Sequence, residues 1–135
     1  MKSKVILSAS ILSISLLSLA FTTPQQPKPW VAPDKDAKAV TPVKSNAASI
    51  AAGKELWQTD CSSCHGKKGL GDGSKAAQLK TQPSDFSKAP FQTQSDGSIF
   101  YKIAEGRGDM PSFKKKLPDA EDTWNLVVFI RSLKK

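Results

Sequence analysis

Cys61-Ser62-Ser63-Cys64-His65 contains the only two cysteines and the only histidine of the chain, so any sulfur or imidazole chemistry is confined to one short segment. C-x-x-C-H is the spacing on which haem is attached covalently to protein. Each thiol adds to one vinyl group of the porphyrin, and the neighbouring imidazole binds the iron. On a helix, Cys64 and His65 stand at i+3 and i+4 from Cys61, so all three side chains project from one face. One short segment can therefore clamp a haem.

Other uses of these residues fit less well. A structural zinc site takes four ligands, and the segment offers three at most. A thioredoxin-like C-x-x-C sits beside a βαβ pattern, whereas the run before this one, Ala47–Trp57, is alanine-rich and helical in character. A plain disulfide stays open in an exported chain, but it leaves His65 without a role.

Export is expected from the N-terminus. Lys2 and Lys4 form a positive n-region, Val5–Leu19 an apolar, serine-rich h-region, and Ser18-Leu19-Ala20 a small-x-small cleavage site. Residues 1–20 are read as a signal peptide, with an uncleaved anchor over residues 5–21 as the alternative. Residues 21–44 follow as a linker, because five of the nine prolines fall between Pro24 and Lys44 among charges and few large apolar residues. If the first segment were to stay in the membrane, some twenty residues at about 3.1 Å each would let the next domain range up to roughly 60 Å from it. A periplasmic or other extracytoplasmic location follows, soluble or anchored.

Residues 45–135 are the expected folded domain. They hold 14 basic and 10 acidic side chains, a net +4 out of +8 for the whole chain. Lys67, Lys68, Lys75, Lys80, Lys114, Lys115 and Lys116 lie close in sequence to the candidate ligands, and would either steer acidic partners or simply keep the surface soluble. Export and the lack of any nucleic-acid motif exclude DNA or RNA as a partner class.

The pattern within this domain is all-α, with three main helices and long loops. The first begins after Ser45 or Asn46 and runs into Cys61. Gly66–Gly73 is too glycine-rich for a regular element and reads as a loop with positive-φ positions. A short helix is expected over Ser74–Leu79, then further loop marked by Pro83, Asp85 and Pro90. A second main helix, capped by Ser95 or Asp96, stops at Gly106. The third starts at Pro118-Asp119, with Asp122 three residues on, and its broad apolar face includes Trp124, Val127, Val128, Phe129, Ile130 and Leu133. A domain of this size has a thin core, which a bound haem would fill out.

A haem iron held by one histidine has a sixth position. Met110 is the only methionine besides Met1, and it lies in Gly106-Arg107-Gly108-Asp109-Met110-Pro111, where glycines permit a close turn and Pro111 pushes Met110 towards extended backbone. A lone methionine is ordinarily core filler. The loop setting and the lack of another His or Met favour a ligand.

Together these residues resemble the class I c-type cytochromes from Ala47 to Leu133. The matching features are the helix leading into C-x-x-C-H-G, the G-x-G-D-G loop at 69–73, Met110-Pro111-Ser112-Phe113, and a closing W-N-L-V-V-F-I-R-S-L at 124–133. The resemblance implies the small cytochrome c fold around one haem c, with thioether bonds at Cys61 and Cys64 and His65 and Met110 as iron ligands. It also implies that Gly53 and Trp57 cross the last helix at Leu126 and Phe129, and that a proline carbonyl, here Pro83, accepts a hydrogen bond from His65. Arg107 is a candidate partner for a haem propionate, and Phe100, Tyr101 and Phe113 are candidate pocket walls.

The expected function is a monohaem electron carrier, not an enzyme, exchanging single electrons with redox proteins that have acidic docking surfaces in an extracytoplasmic respiratory chain. Two alternatives are a membrane-tethered haem subunit of a larger oxidoreductase complex and a haem-based sensor. The sensor lacks a distal histidine and any second haem motif.

Overall fold

The computed structural model describes residues 28–135, so the expected signal or anchor segment and the start of the linker lie outside the described residues. Among the described residues there are six α-helices: α1 Asp34–Ala37, α2 Ala47–Leu56, α3 Ser62–His65, α4 Ala89–Gln92, α5 Asp96–Glu105 and α6 Ala120–Ser132. Among the described residues the only β-type pairing is an isolated bridge between Arg107 and Met110. The all-α reading holds, with α2, α5 and α6 as the main helices.

Each main helix starts on a side-chain cap. The Asn46 side chain accepts from the Ser49 amide while the Ser49 hydroxyl accepts from the Asn46 amide, both at 3.0 Å. Ser95 caps α5 by accepting from Ser98. Asp119 caps α6 by accepting from the Glu121 amide, not through a reciprocal bond with Asp122. Gly106, at φ +68°, ends α5 where a side chain would strain the backbone.

Helix α6 is buried continuously from Thr123 to Ile130 and is the centre of the molecule. Helix α2 crosses it at Gly53. A Cβ on Gly53 would lie 2.0 Å from the Asn125 carbonyl oxygen and 2.8 Å from Phe129 Cβ, so only glycine allows this approach. The crossing therefore uses Asn125 and Phe129, one helical turn apart on the same row of α6. Leu126, expected there, is fully buried in the core alongside. Trp57, 1% exposed, packs on Phe129 with ring centroids 5.6 Å apart.

Three segments differ from the sequence expectation. Residues 34–37 of the expected linker form α1, which docks on α5. The stretch around Pro90 is helical in α4, where proline at the first turn costs no hydrogen bond. The expected short helix after the glycine loop is a single 3₁₀ turn, Ala76–Gln78.

Candidate functional site

Helix α2 does not continue straight into Cys61. A π-helical turn over Trp57–Cys61 comes between α2 and α3, and Cys61 sits at φ −115°. The Thr59 hydroxyl donates to the Glu55 carbonyl at 3.1 Å and the Ser62 hydroxyl to Gln58 at 2.9 Å, the i−4 back-bonding that bends helices. One extra residue in the turn re-aims everything after it, and such bulges are frequent at functional sites. Trp57 thus faces α6 while the C-x-x-C-H side chains are turned separately.

A helix as short as α3 leaves its last carbonyls without partners. Here the following loop supplies them all. Gly66 donates to Ser62 at 2.9 Å, Lys75 to Ser63 at 2.8 Å, Gly73 to Cys64 at 3.2 Å and Gly71 to His65 at 2.9 Å. The Trp57 indole donates to the Gly66 carbonyl at 3.0 Å in a buried setting. The main chain of the motif is saturated, and its thiols and imidazole are what remain for chemistry. The positive-φ glycines 66, 69 and 71 make this loop tight enough to reach back.

The His65 ring lies in an aromatic setting, 4.9 Å from Phe86 and 5.7 Å from Trp57 between centroids. Burial pushes its pKa down, which keeps the imidazole neutral as a metal ligand requires. Its Nδ1 is buried and has no hydrogen-bond partner among the described residues. Pro83 is brought close, since its carbonyl oxygen would be 2.3 Å from a Cβ on Gly71, but it makes no bond to His65. The expected Pro83–His65 hydrogen bond is therefore absent from this structure, although the Pro83 carbonyl lies against Gly71 in the loop that follows His65.

Cys61 and Cys64 are half-buried and not bonded to each other. Burial, reinforced by the Asp60 carboxylate and opposed by Lys116, pushes the Cys61 thiol up to about 12. A thiol so held is unlike the low-pKa nucleophile of a thioredoxin-type site. The nearly buried Asp60 carboxylate is paired with exposed Lys116, which joins this segment to the chain just after Met110.

Met110 is half-buried and packs against the same apolar core as Cys61. Its loop is pinned on several sides. Arg107 and Met110 exchange main-chain bonds of 2.9 and 3.1 Å, the Ser112 hydroxyl donates to Ala104, and the Lys80 amide donates to the Asp109 carboxylate at 2.7 Å. Arg107 does not point free as a propionate partner would: its guanidinium lies 4.9 Å from the Trp30 ring centroid and donates to the Lys28 carbonyl at 3.1 Å. Of the candidate walls, Phe113 is buried, Tyr101 is half-buried, and half-buried Phe100 lies against Trp124 with ring centroids 4.3 Å apart and planes tilted by 33°.

The donor set fits a covalently held haem: a neutral imidazole with an uncommitted buried nitrogen, two free thiols at Cys61 and Cys64, and a thioether on a braced loop against the same core. Sequence reasoning missed Phe86, whose aromatic neighbour Phe91 stacks on it at 3.9 Å. Nothing in the local pattern marks Phe86, because its contact with His65 spans a 20-residue loop. A cavity of about 560 Å³ between the start of α2 and the start of α6, bordered by Val43, Ala52 and Trp124, includes none of the candidate ligands.

Residues 48–130 match the family described as cytochrome C oxidase, cbb3-type, subunit III. Cytochrome c6 of Picosynechococcus sp. is 31% identical over 90 residues, which cover 62% of this chain and 73% of that protein. A solved structure of the Kuenenia stuttgartiensis reducing HAO-like protein complex Kustc0457/Kustc0458 contains a chain that superposes with a TM-score of 0.64 at 28% identity. The match covers 70% of this chain and only 47% of that longer one. The KustC0563 c-type cytochrome superposes with a TM-score of 0.53 at 32% identity, over 62% of this chain and 98% of its own.

Proposed function

The chain belongs to the cytochrome c family and is a haem electron carrier, and from this premise we propose that it passes single electrons between proteins of an extracytoplasmic respiratory chain. Covalently bound haem c supplies the Fe(II)/Fe(III) couple. The observation that carries the reading is the motif itself: every late carbonyl of α3 is satisfied by loop amides, while His65 stays neutral and half-buried beside Phe86 and Trp57.

In this reading Cys61 and Cys64 would hold the haem through thioethers, and His65 and Met110 would supply the two protein ligands of its iron. The saturated main chain of α3 fixes the imidazole. The braced Gly106–Met110 loop holds the thioether, so little rearranges when charge changes. His/Met ligation raises the potential, and the apolar surroundings, including Phe86, disfavour the ferric charge further. Lys67, Lys68, Lys75 and Lys80 are exposed and would guide acidic docking faces. Lys114 and Lys116 are exposed as well but already pair with Glu105 and Asp60. The proposed division of the chain is a signal peptide or anchor at 1–20, a connecting segment at 21–44 and the haem domain at 45–135.

A second reading is favoured by the neighbour that is part of a complex: a haem subunit fixed within a larger oxidoreductase assembly, tethered through residues 5–21. No helix of the described residues is long and apolar enough to cross a membrane. Cell fractionation separates the two readings, because full recovery in the soluble extracytoplasmic fraction would rule out the tether. The carrier function is tested by potentiometric titration of the purified holoprotein. A single reversible one-electron wave is expected, and an irreversible response or peroxide turnover would overturn it.

A further inference from the structure

We propose that residues 28–41 form a strap along α5 whose Trp30, through Arg107, positions the Met110 loop, so that Trp30 and Arg107 are positioning residues for the sixth iron ligand. This rests on the reading of Met110 as that ligand.

The strap precedes the part of the chain that matches the family, and composition alone gave it no role beyond a spacer. It is anchored at both ends of α5. At the N-terminal end, the Ser95 hydroxyl donates to the Ala37 carbonyl at 2.6 Å, and a Cβ on Gly97 would lie 2.0 Å from the Asp36 carbonyl oxygen. Ala32, between the two ends, is 4% exposed. At the C-terminal end, the Trp30 ring lies under two cations, Arg107 at 4.9 Å and Lys102 at 5.7 Å, while Arg107 also donates to the Lys28 carbonyl. The strap therefore runs antiparallel to α5.

What holds Arg107 holds Met110, because their main chains exchange two hydrogen bonds across the turn. Arg107 makes no ion pair with a carboxylate among the described residues. Lys102 shares the Trp30 ring with it, and the two cations repel; the Lys102 ammonium is pushed down by burial and then by Arg107. The π-face of Trp30 is the group that offsets this repulsion. Without it, Arg107 gains by swinging into water, and the turn loses one of its braces. The Asp109–Lys80 contact remains on the other side, so the expected effect is a looser ligand and not an unfolded loop.

The test uses the full-length holoprotein and three variants, Trp30→Ala, Trp30→Phe and Met110→Ala. Two quantities are read: the affinity of the oxidised protein for added imidazole, and hydrogen exchange at the Arg107 and Met110 amides. Trp30→Ala should raise imidazole affinity about fivefold and speed both amides by a similar factor, with Trp30→Phe restoring most of the native behaviour. Met110→Ala should open the site outright. If Met110→Ala opens the site and Trp30→Ala changes neither quantity, the strap has no positioning role. Equal acceleration of amides throughout α2 and α6 would make Trp30 a general support, which also overturns the proposal. If Met110→Ala binds imidazole no better than the native protein, the ligand assignment itself falls, and the proposal with it.

Discussion

Replacing Gly53 by alanine sets two known effects against each other. Alanine is favoured over glycine inside a helix by about 1 kcal/mol, so in an isolated α2 the change would stabilise. In the folded chain the new Cβ would stand 2.0 Å from the Asn125 carbonyl oxygen, more than 1 Å inside an ordinary carbon–oxygen contact. That oxygen is main chain, and α6 is buried over Thr123–Ile130, so relief requires moving the two helices apart. Overpacking of this kind costs about 1–3 kcal/mol, and a backbone obstacle puts it at the upper end. The net loss is therefore about 2 kcal/mol, a factor of roughly 30 in the unfolding constant. For a domain of this size that lowers the thermal midpoint by about 8–16 °C. Far-UV circular dichroism of native and Gly53→Ala holoproteins, with a urea titration to show that the slope is unchanged, measures it. A variant as stable as the native protein would show that helix propensity wins and that α2 and α6 do not meet main chain to main chain.

Lys116→Gln leaves the nearly buried Asp60 carboxylate without its cation; because Lys116 is exposed the loss should be modest, about 1 kcal/mol, and the double variant with Asp60→Asn should recover it in a denaturant titration. No recovery would mean that the pair is not what stabilises this junction. Trp57→Phe removes the indole donor to the buried Gly66 carbonyl and should cost about 1–3 kcal/mol, read as a shift in urea midpoint; an unchanged midpoint would remove that bond from the account. The Asp85 carboxyl is held below its usual range by hydrogen bonds from the Ser87 hydroxyl and amide. A lowered folded pKa contributes stability that is complete above the ordinary carboxylate range and lost as pH falls through the folded value. Asp85→Asn should therefore flatten the acid limb of the stability profile, and superimposable acid limbs would contradict the cause assigned. Electron exchange with an acidic partner protein should slow as salt is raised, and a salt-independent rate would dissociate the exposed lysines from docking.

The parts legible in the sequence are those whose signal is local. Asn46, Ser95 and Asp119 are readable as caps because capping needs only a short side chain and an amide two or three residues on. Cys61, Cys64 and His65 stand out as a candidate site because haem attachment asks for that spacing, and Gly53 is readable because the resemblance places a close helix crossing there. The π-turn was not legible: its residues Trp57–Cys61 have no composition that separates it from α-helix, and only the Thr59 and Ser62 hydroxyls hint at it. Pairings across long stretches of chain were also hidden. Trp30 meets Arg107, and Phe86 meets His65, through the path of the fold and not through any local rule. Proline content suggested an extended segment before Ala47, but burial of Ala32 and the bond to Ser95 fold part of it back onto α5.

The central claim is that His65 and Met110 close both axial positions of one haem attached at Cys61 and Cys64. The absorption spectrum of the reduced holoprotein, recorded before and after carbon monoxide is added, tests it most directly. The account predicts an unchanged spectrum, because the iron has no open position for the gas. Conversion to a carbon monoxide complex would contradict it, and would move the chain from electron carriage to ligand sensing or catalysis.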